Sequence, residues 1–128
     1  MISNFQKIGE YRSPHQAPVY KEFIGKTKTK KRHCIYAFVV NDEVLYIGET
    51  RVGFSRPLSY HTNIVMHIQR KGIEEITRSG SVVEVFAKEI GMLPFKCPIT
   101  GADLNAYVGG DIERHLISIY NPKWNGRS

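Results

Sequence analysis

Tyrosine and arginine side chains that could act on a phosphate group recur at regular spacing in this sequence. Tyr36 and Tyr46 are ten residues apart, Arg56 follows ten residues later, and Tyr60 follows after four more. On a helix, a spacing of four residues places Arg56 and Tyr60 on one face, as a pair acting on one phosphate requires. Two tyrosines alone would be more typical of sheet packing, so the interpretation depends on the whole set.

A carboxylate and an amide extend this set toward the C-terminus. Glu113 lies in the first turn of a predicted helix, and Asn125 follows twelve residues later. Taken alone, Glu113 would be explained by the favourable interaction of an acid with a helix N-terminus. Asn125 alone is as well explained as a surface amide near the chain end. Each of these residues therefore indicates a function only in combination with the others.

Together these positions resemble the GIY-YIG nuclease family. The segments Cys34–Tyr36 and Tyr46–Gly48 are similar to the two short motifs that name the family. Arginine, tyrosine, glutamate and asparagine follow at family spacing, at positions 56, 60, 113 and 125. The turn Asn41–Glu43 and the ending Tyr120–Asn125 look most like the small phage endonuclease II proteins and restriction-type members.

The sequence departs from the family pattern at two positions. Cys34 stands in place of the first glycine, and Glu49 stands where relatives often have lysine. Glu49 removes one expected basic phosphate contact. We expect its side chain to be exposed, with a remote role in metal binding as the alternative.

The resemblance implies a metal-dependent DNA endonuclease that hydrolyses phosphodiester bonds. Tyr36 would be the general base, a demanding role because an unperturbed tyrosine has a pKa of about 10. Arg56 would stabilise the phosphate and, with Tyr46 and Tyr60, hold the water in line. His61 is an alternative proton acceptor.

Glu113 would bind one Mg²⁺, with Mn²⁺ as a substitute, because Mg²⁺ commonly takes one carboxylate, several waters and phosphate oxygens. Asn125 would bridge the glutamate side of the site or orient the C-terminal segment. The rival interpretation from another class is a catalytically idle DNA-binding module with the same fold. The combination of Tyr36, Arg56 and Glu113 argues against it, since DNA binding needs only positive charge.

The charge balance favours a polyanionic partner. Eighteen Lys and Arg against 12 Asp and Glu give a formal charge of +6. Such a balance favours nucleic acid or an acidic membrane surface, or it is a solvated basic face. With the resemblance, DNA is the predicted partner, and the candidate DNA-binding residues are Lys28, Lys30, Lys31, Arg32, Arg51, Arg70 and Lys71. One site cuts one strand, so double-strand cleavage would require a homo-oligomer or two successive events.

Several classes of protein are disfavoured. No apolar run reaches the roughly 18 residues that span a bilayer, and no signal-peptide pattern occurs, so we expect a cytoplasmic protein of a bacterium or phage-infected host cell. Cys34 and Cys97 lack metal-site spacing and are expected to be reduced structural thiols.

The strands and helices that must position these residues are predicted to form an α/β fold. This fold has a small, mainly antiparallel, three-stranded sheet flanked by helices. Strands are predicted at 34–40, 44–48 and 82–90. A three-residue loop, Asn41–Glu43, would place Tyr36 and Tyr46 on the same face of the hairpin. The tyrosines and Arg56 are expected to face Glu113 across a shallow groove.

The remaining segments are assigned by composition and period. Residues 1–33 form an irregular basic arm, and residues 34–128 form the nuclease domain. A helix begins at the Ser55 cap, a helical insertion covers about 62–80 with an interruption near Gly72, and a long loop covers about 91–110. Asp111 is predicted to cap the last helix, whose buried stripe is Ile112, Leu116 and Ile119.

Overall fold

The computed structural model describes residues 2, 4–12, 19–22, 33–53, 56–57 and 68–126. Its centre is a five-stranded sheet in which every neighbouring pair is antiparallel, with the order β2-β1-β5-β3-β4. The strands are β1 (Gln6–Arg12), β2 (Val19–Glu22), β3 (Cys34–Val40), β4 (Glu43–Thr50) and β5 (Val83–Glu89).

The α/β class and the antiparallel sheet are confirmed, but the predicted number of three strands is wrong. The missing strands come from residues 1–33, which were predicted to be irregular and which contain β1 and β2. Gly9 and charged residues break the alternation along β1, and its register shifts between Lys7 and Gly9. The pairing of β1 with β5 joins segments more than 70 residues apart, which no local pattern reveals.

The hairpin of β3 and β4 turns in two residues rather than the predicted three. Asn41 and Asp42 both have positive φ, at 48° and 66°, as a two-residue hairpin turn with right-handed strand twist requires. The register then shifts by one residue beside Leu45, so that Phe38 pairs with Tyr46. The bulge adds one residue to β4 and so compensates for the residue missing from the turn. Tyr36 and Tyr46 therefore share a face, as predicted.

One face of the sheet packs against helix α1, and we call it the α1 face. Helix α1 (Ile68–Arg78) confirms the helical insertion from residue 68 onward, and Gly80, with φ of +92°, lies in the turn that follows it. Gly72 lies inside the helix rather than interrupting it. A Cβ there would lie 2.5 Å from the ring of Trp124, so glycine is required for this close packing. The buried members of this core include Tyr11, Tyr36, Phe38, Val85 and Ile73.

The opposite face packs against helix α2 (Gly109–Tyr120), and we call it the α2 face. Its core includes Ile35, Ala37, Val39, Ile47 and Phe86, covered by Ile112, Leu116, Ile117 and Tyr120. The predicted stripe is therefore wrong at Ile119, which is 58% exposed. The predicted cap is also wrong, because α2 begins two residues before Asp111 and its N-cap position, Val108, makes no side-chain cap.

The predicted loop at 91–110 is a separate two-stranded ribbon followed by the first turn of α2. Strands β6 (Leu93–Lys96) and β7 (Asp103–Ala106) pair with each other. Their connection is closed by hydrogen bonds from the Cys97 N–H to the Ala102 carbonyl and from the Gly101 N–H to the Cys97 carbonyl, both 2.8 Å. The density of proline and glycine predicted a loop, and the two strands, with four residues each, were too short to be recognised.

Candidate active site

The ring of Tyr36 lies across Gly48, its partner on β4. A Cβ on Gly48 would stand 2.5 Å from the Cζ and 2.6 Å from the hydroxyl oxygen of Tyr36. Real Cβ atoms do not approach other atoms this closely, so only glycine allows the phenol to cross the outer strand of the sheet. The glycine of the second motif therefore has a physical role, which is to direct the Tyr36 hydroxyl toward the edge of β4.

Two aromatic rings support this tyrosine on the α1 face. The ring centroid of Tyr36 is 6.0 Å from that of Tyr46 and 5.7 Å from that of Phe38. Tyr36 is 2% exposed, whereas Tyr46 is partly exposed. The two predicted tyrosines are thus neighbours in one aromatic cluster.

Arg56 is brought to the same face by its neighbour in the chain. The hydroxyl of Tyr11 donates a buried hydrogen bond of 2.6 Å to the carbonyl of Pro57. The Tyr11 ring lies edge-on to Phe38, with centroids 6.1 Å apart. The Arg56 N–H donates to the Gly53 carbonyl at 3.3 Å, which closes the turn that carries the arginine.

The outer edge of β4 is closed by side chains from the C-terminal part of the chain. Asn125 accepts a hydrogen bond of 2.9 Å from the Ile47 N–H and donates one of 2.8 Å to the Ile47 carbonyl. An edge strand directs alternate backbone groups away from the sheet, and the Asn125 amide satisfies this pair as another strand would. The amide binds protein backbone and is not a surface side chain.

Glu113 occupies the next outward position along the same edge. The backbone N–H of Glu49, two residues beyond Ile47, lies close enough to this carboxylate to lower its pKa. Burial raises the pKa of Glu113, the nearby carboxylate of Glu49 raises it further, and the Glu49 N–H and Arg114 oppose these effects. Two carboxylates thus lie close to each other beside the strand that Tyr36 crosses.

This arrangement corrects the predicted groove. Tyr36 and Tyr46 belong to the α1 face, and Tyr11 of that face binds Pro57, the residue after Arg56, whereas Glu113 extends from α2 on the opposite face. They do not face each other across one surface of the sheet. Tyr36 approaches from one side over Gly48, and Glu113 approaches from the other side to the N–H of Glu49. The edge of β4 is where the two sets come together.

Glu49 is half-buried rather than exposed as expected. Its carboxylate accepts a hydrogen bond from the hydroxyl of Tyr107. Burial and Glu49 raise the pKa of Tyr107 to about 12, although Arg51 opposes the shift. The Arg51 guanidinium lies over the Tyr107 ring, 4.6 Å from its centroid, and the His33 ring lies 4.3 Å from it.

Three residues of this site escaped the sequence interpretation: Tyr11, Tyr107 and Gly109. A Cβ on Gly109 would collide with the Tyr107 hydroxyl and lie 2.8 Å from a Glu49 carboxylate oxygen. The only local signal was a tyrosine two residues before a glycine at a helix start. Tyr11 had no signal, because its strand was not predicted.

The other predicted residues are partly outside the described ranges. Tyr60, His61, Lys28, Lys30, Lys31 and Arg32 lie outside them, as does most of the helix predicted to begin at Ser55. Arg70 is a residue of α1, and Lys71 on the same helix is exposed. Arg51 is exposed and stacks on Tyr107.

The two cysteines are free. Cys34 is buried, which together with Glu89 raises its pKa to about 12, and Cys97 is partly exposed in the ribbon turn. None of the helices within the described ranges is long and apolar enough to cross a membrane.

The carboxylates at the β4 edge fit a single divalent cation better than a closed cage. Among the described residues, no three His, Cys, Asp or Glu side chains converge to hold a metal. Glu113 and Glu49 nevertheless repel each other in a half-buried setting, which a cation would relieve. Mg²⁺ is commonly held in this way, by one or two carboxylates that leave positions for water and phosphate oxygens.

A tyrosine-bearing antiparallel hairpin with helices on both faces of its sheet defines a GIY-YIG-like nuclease fold. Among solved structures, the chain is similar to a glutamate-to-alanine mutant of bacteriophage T4 EndoII, with a TM-score of 0.72 and 24% identity over 94% of this chain and 91% of that one. It is also similar to the restriction endonuclease HPY188I in complex with product DNA, with a TM-score of 0.50 and 15% identity over 93% and 77%.

No protein-family model and no curated protein matches the sequence. At these identities the structural comparisons establish the fold, and the resemblance read from the motifs is confirmed at that level.

Proposed function

We propose that this protein is a metal-dependent DNA endonuclease, and the arrangement at the edge of β4 is the observation that carries the proposal. The Tyr36 phenol approaches the edge of β4 from one side, across Gly48. The Glu113 carboxylate approaches the same edge from the other side, at the N–H of Glu49. Both structural neighbours are named as nucleases, and one holds product DNA, which supports this choice of substrate.

Tyr36 is assigned the role of general base toward the attacking water. Its hydroxyl is directed past Gly48, and the surrounding rings of Phe38 and Tyr46 fix its orientation. Arg56, on the same face, supplies the positive charge that stabilises the phosphoryl oxygens and favours loss of the phenol proton. Because Tyr36 is 2% exposed, its hydroxyl must be uncovered when the DNA phosphate binds.

Glu113 is assigned the binding of one Mg²⁺, for which Mn²⁺ would substitute. When bound, this ion would neutralise charge on the scissile phosphate and on the departing oxygen. Glu113 is held for this task by the Glu49 N–H, and Glu49 adds a second negative charge beside it. Tyr107 holds the Glu49 carboxylate in place through its hydroxyl.

Asn125 is assigned a positioning role rather than a contact with the reacting atoms. Both ends of its amide bind the backbone of Ile47, between Tyr46 and Gly48. The amide therefore fixes the stretch of β4 over which Tyr36 passes. Loss of this fixation would displace the phenol without removing any reacting group.

The basic side chains supply affinity for the DNA backbone. Arg51 is exposed next to the Glu49 and Tyr107 pair, and Lys71 is exposed on α1. Lys28, Lys30, Lys31, Arg32 and Arg70 complete the proposed set. Contacts of this kind position the duplex without reading its sequence. The acidic site would then receive a phosphate between two basic surfaces.

The decisive experiment is cleavage of supercoiled plasmid, resolved on a gel, with Mg²⁺, with EDTA and with the Glu113→Ala variant. We expect nicking or linearisation that requires the metal and is lost in the variant. Glu75→Ala is the matched control, because Glu75 is exposed on α1 and far in sequence from the site. Circular dichroism and thermal melting verify that both variants are folded.

A second readout separates metal binding from activity. Titration calorimetry with Mn²⁺ alone should show one site in the native chain and in Glu75→Ala, and none in Glu113→Ala. DNA binding without cleavage under any metal would instead establish the idle binding module. Metal-independent cleavage would contradict the role of Glu113.

A further inference from the structure

The charge of Glu49 has no assigned ligand in the proposed function. Glu49 stands where relatives often have lysine, so this chain carries an anion at a position where a cation is expected. Its side chain is half-buried on β4, the outer strand of the sheet. Burial of an ionised carboxylate costs free energy unless a partner compensates for the lost water. The contacts of Glu49 therefore decide which role this charge can have.

The Glu49 carboxylate lies against the first turn of α2. A Cβ on Gly109 would stand 2.8 Å from the Oε2 atom of Glu49, so a side chain at this position would displace the carboxylate. Glu113 is four residues further along the same helix, and residues four apart lie on one face. Because helical side chains lean toward the N-terminus, the Glu113 side chain is directed back toward position 109. The helix geometry thus brings the two carboxylates to one place.

The electrostatics of Glu113 agree with this placement. Burial raises the pKa of Glu113, and the neighbouring charge of Glu49 raises it further. Among the described residues, no Lys or Arg side chain forms an ion pair with either carboxylate. The arginines nearest in sequence are engaged elsewhere, since Arg114 is paired with Asp111 and Arg51 lies over an aromatic ring. Within this part of the chain, the two acids therefore lack a counterion.

Tyr107 holds the Glu49 carboxylate in place. Its hydroxyl donates to Oε2, the same oxygen that lies against Gly109, so these contacts leave Oε1 for another ligand. The Tyr107 ring is itself held by the His33 ring, with centroids 4.3 Å apart, and by the Arg51 guanidinium, 4.6 Å from its centroid. A neighbouring hydrogen-bond donor that orients a carboxylate is the usual support of a metal ligand.

We infer that Glu49 is a second ligand of the divalent cation assigned to Glu113, and that Tyr107 is the positioning residue that holds Glu49 for this task. The inference rests on the proposed function, from which the cation is taken. Carboxylate oxygens are ligands that Mg²⁺ prefers, and one or two carboxylates leave positions for water and phosphate oxygens. A cation bound there would supply the counterion that both side chains lack.

A second carboxylate changes the stage at which the metal can bind. A site with one carboxylate depends on phosphate oxygens of the substrate for the remaining ligands, whereas two carboxylates can hold the cation before DNA arrives. We therefore expect this chain to bind one Mn²⁺ in the absence of DNA. The rival role of Glu49 is structural, because its bond to Tyr107 also fastens the start of α2 to β4. The two roles predict different results when only the charge is removed.

Glu49→Gln removes the charge and keeps the shape, and the glutamine carbonyl can still accept the Tyr107 hydroxyl. Calorimetric titration of the DNA-free chain with Mn²⁺ measures the effect. We expect the dissociation constant to rise by at least about tenfold, since loss of even an outer partner of a metal ligand typically costs about 10- to 100-fold. Glu84→Gln is the matched control, because Glu84 is also half-buried on a strand but is paired with Lys7 at 2.8 Å; it should leave the affinity unchanged.

Tyr107→Phe tests the positioning role separately. It removes the hydroxyl and keeps the ring beside His33 and Arg51, and we expect the Mn²⁺ dissociation constant to rise by about tenfold. Tyr120→Phe, at the other end of α2, is the matched control and should have no effect. If Tyr107 acts through Glu49, the double variant should bind Mn²⁺ no more weakly than Glu49→Gln alone. Additive losses would contradict the positioning role.

A measurement on the native chain does not depend on any variant. In carbon NMR spectra of isotope-labelled protein, the side-chain carboxyl carbons of Glu49 and Glu113 should shift together as Mg²⁺ is added. A shift at Glu113 alone would overturn the inference. So would a Glu49→Gln variant that loses thermal stability but binds Mn²⁺ like the native chain, because the role of Glu49 would then be structural.

The cleavage assay distinguishes failure of this inference from failure of the proposed function. If both are right, Glu49→Gln should need more Mg²⁺ than the native chain to reach half of its maximal cleavage rate. If both carboxylates bind the metal but the native chain cuts no DNA, the proposed function fails and the inference stands. If cleavage requires Glu113 while Glu49→Gln keeps native Mn²⁺ affinity, the inference fails and the proposed function stands.

Discussion

The edge of β4 and the edges of the β6–β7 ribbon both present backbone groups at the border of a sheet. At β4, Asn125 and Glu113 bind the outward groups of Ile47 and Glu49. At the ribbon, the two strands are held by hydrogen bonds to each other, by the hydrogen bonds of their connection and by a Lys96–Asp103 ion pair. The first edge is closed by polar side chains from distant parts of the chain, and the second remains accessible.

This difference separates the tasks of the two regions. A closed edge holds functional groups in fixed positions, which suits a catalytic site. Among the described residues, the exposed strands of the ribbon are not closed by side chains in this way. Substitutions at β4 should therefore change cleavage or stability, whereas those at exposed positions of the ribbon should change stability little.

The largest effect is expected from Tyr36→Phe, which removes one oxygen atom. Loss of a general base typically reduces the rate by about 10²- to 10⁴-fold. The ring and its contacts with Phe38 and Tyr46 remain, so the melting temperature should change little. Single-turnover cleavage with saturating Mg²⁺ measures the rate. A variant that cuts at the native rate would remove Tyr36 from the mechanism.

Gly48→Ala should disturb both stability and cleavage. The new Cβ would lie 2.5 Å from the Tyr36 Cζ, and such overpacking typically destabilises by about 1–3 kcal/mol. Displacement of the phenol should lower cleavage by up to about 10²-fold. Gly91→Ala is the control, because a Cβ there meets no atom within 4 Å. Equal effects at the two glycines would contradict the proposed path of Tyr36.

Asn125→Ala should destabilise the chain by about 1–2 kcal/mol, because two hydrogen bonds to Ile47 are lost at a partly buried edge. Urea denaturation measures this change. Asn105→Ala, at an exposed position of the ribbon, should stay within about 0.5 kcal/mol. If the two substitutions have the same effect, β4 is not a closed edge in solution.

Glu113→Gln should slightly stabilise the metal-free chain. A carboxyl group whose folded-state pKa is raised stabilises the fold when protonated, and this contribution is lost as the pH rises through the raised pKa. At pH 7 in EDTA, glutamine removes the cost of keeping a half-buried ionised carboxylate beside Glu49. We expect a rise in melting temperature of about 1–2 °C. Mg²⁺ should then raise the melting temperature of the native chain but not that of the variant. A rise in the variant but not in the native chain would contradict metal binding by Glu113.

The smallest effect is expected from Lys96→Ala on the ribbon. Both partners of its ion pair are mostly exposed, so water screens the attraction, and the melting temperature should not change measurably. A clear fall in the melting temperature of this variant would instead show that the Lys96–Asp103 pair stabilises the ribbon.

Local patterns predicted much of the central fold. The apolar runs of β3, β4 and β5 and the stripe of α2 have a period that identifies them without tertiary information. The motif spacing also selected Tyr36 and Tyr46, which the structure places in one aromatic cluster, and Arg56 and Glu113, whose roles stay predictions. Prediction failed for β1, β2, β6 and β7, which are short or polar and form only through pairing with a partner strand.

The sequence by itself determined which chemical groups are present and which strands and helices carry them, because side-chain type and hydrophobic period are local properties. The tertiary structure decided that Glu113 approaches the edge of β4 from the face opposite to Tyr36 rather than facing it across a groove, since α2 packs on that opposite face. It also decided that Asn125 binds Ile47 and that Tyr107 binds Glu49, contacts between residues 78 and 58 positions apart. Such contacts depend on how the chain folds back on itself, which no local pattern specifies.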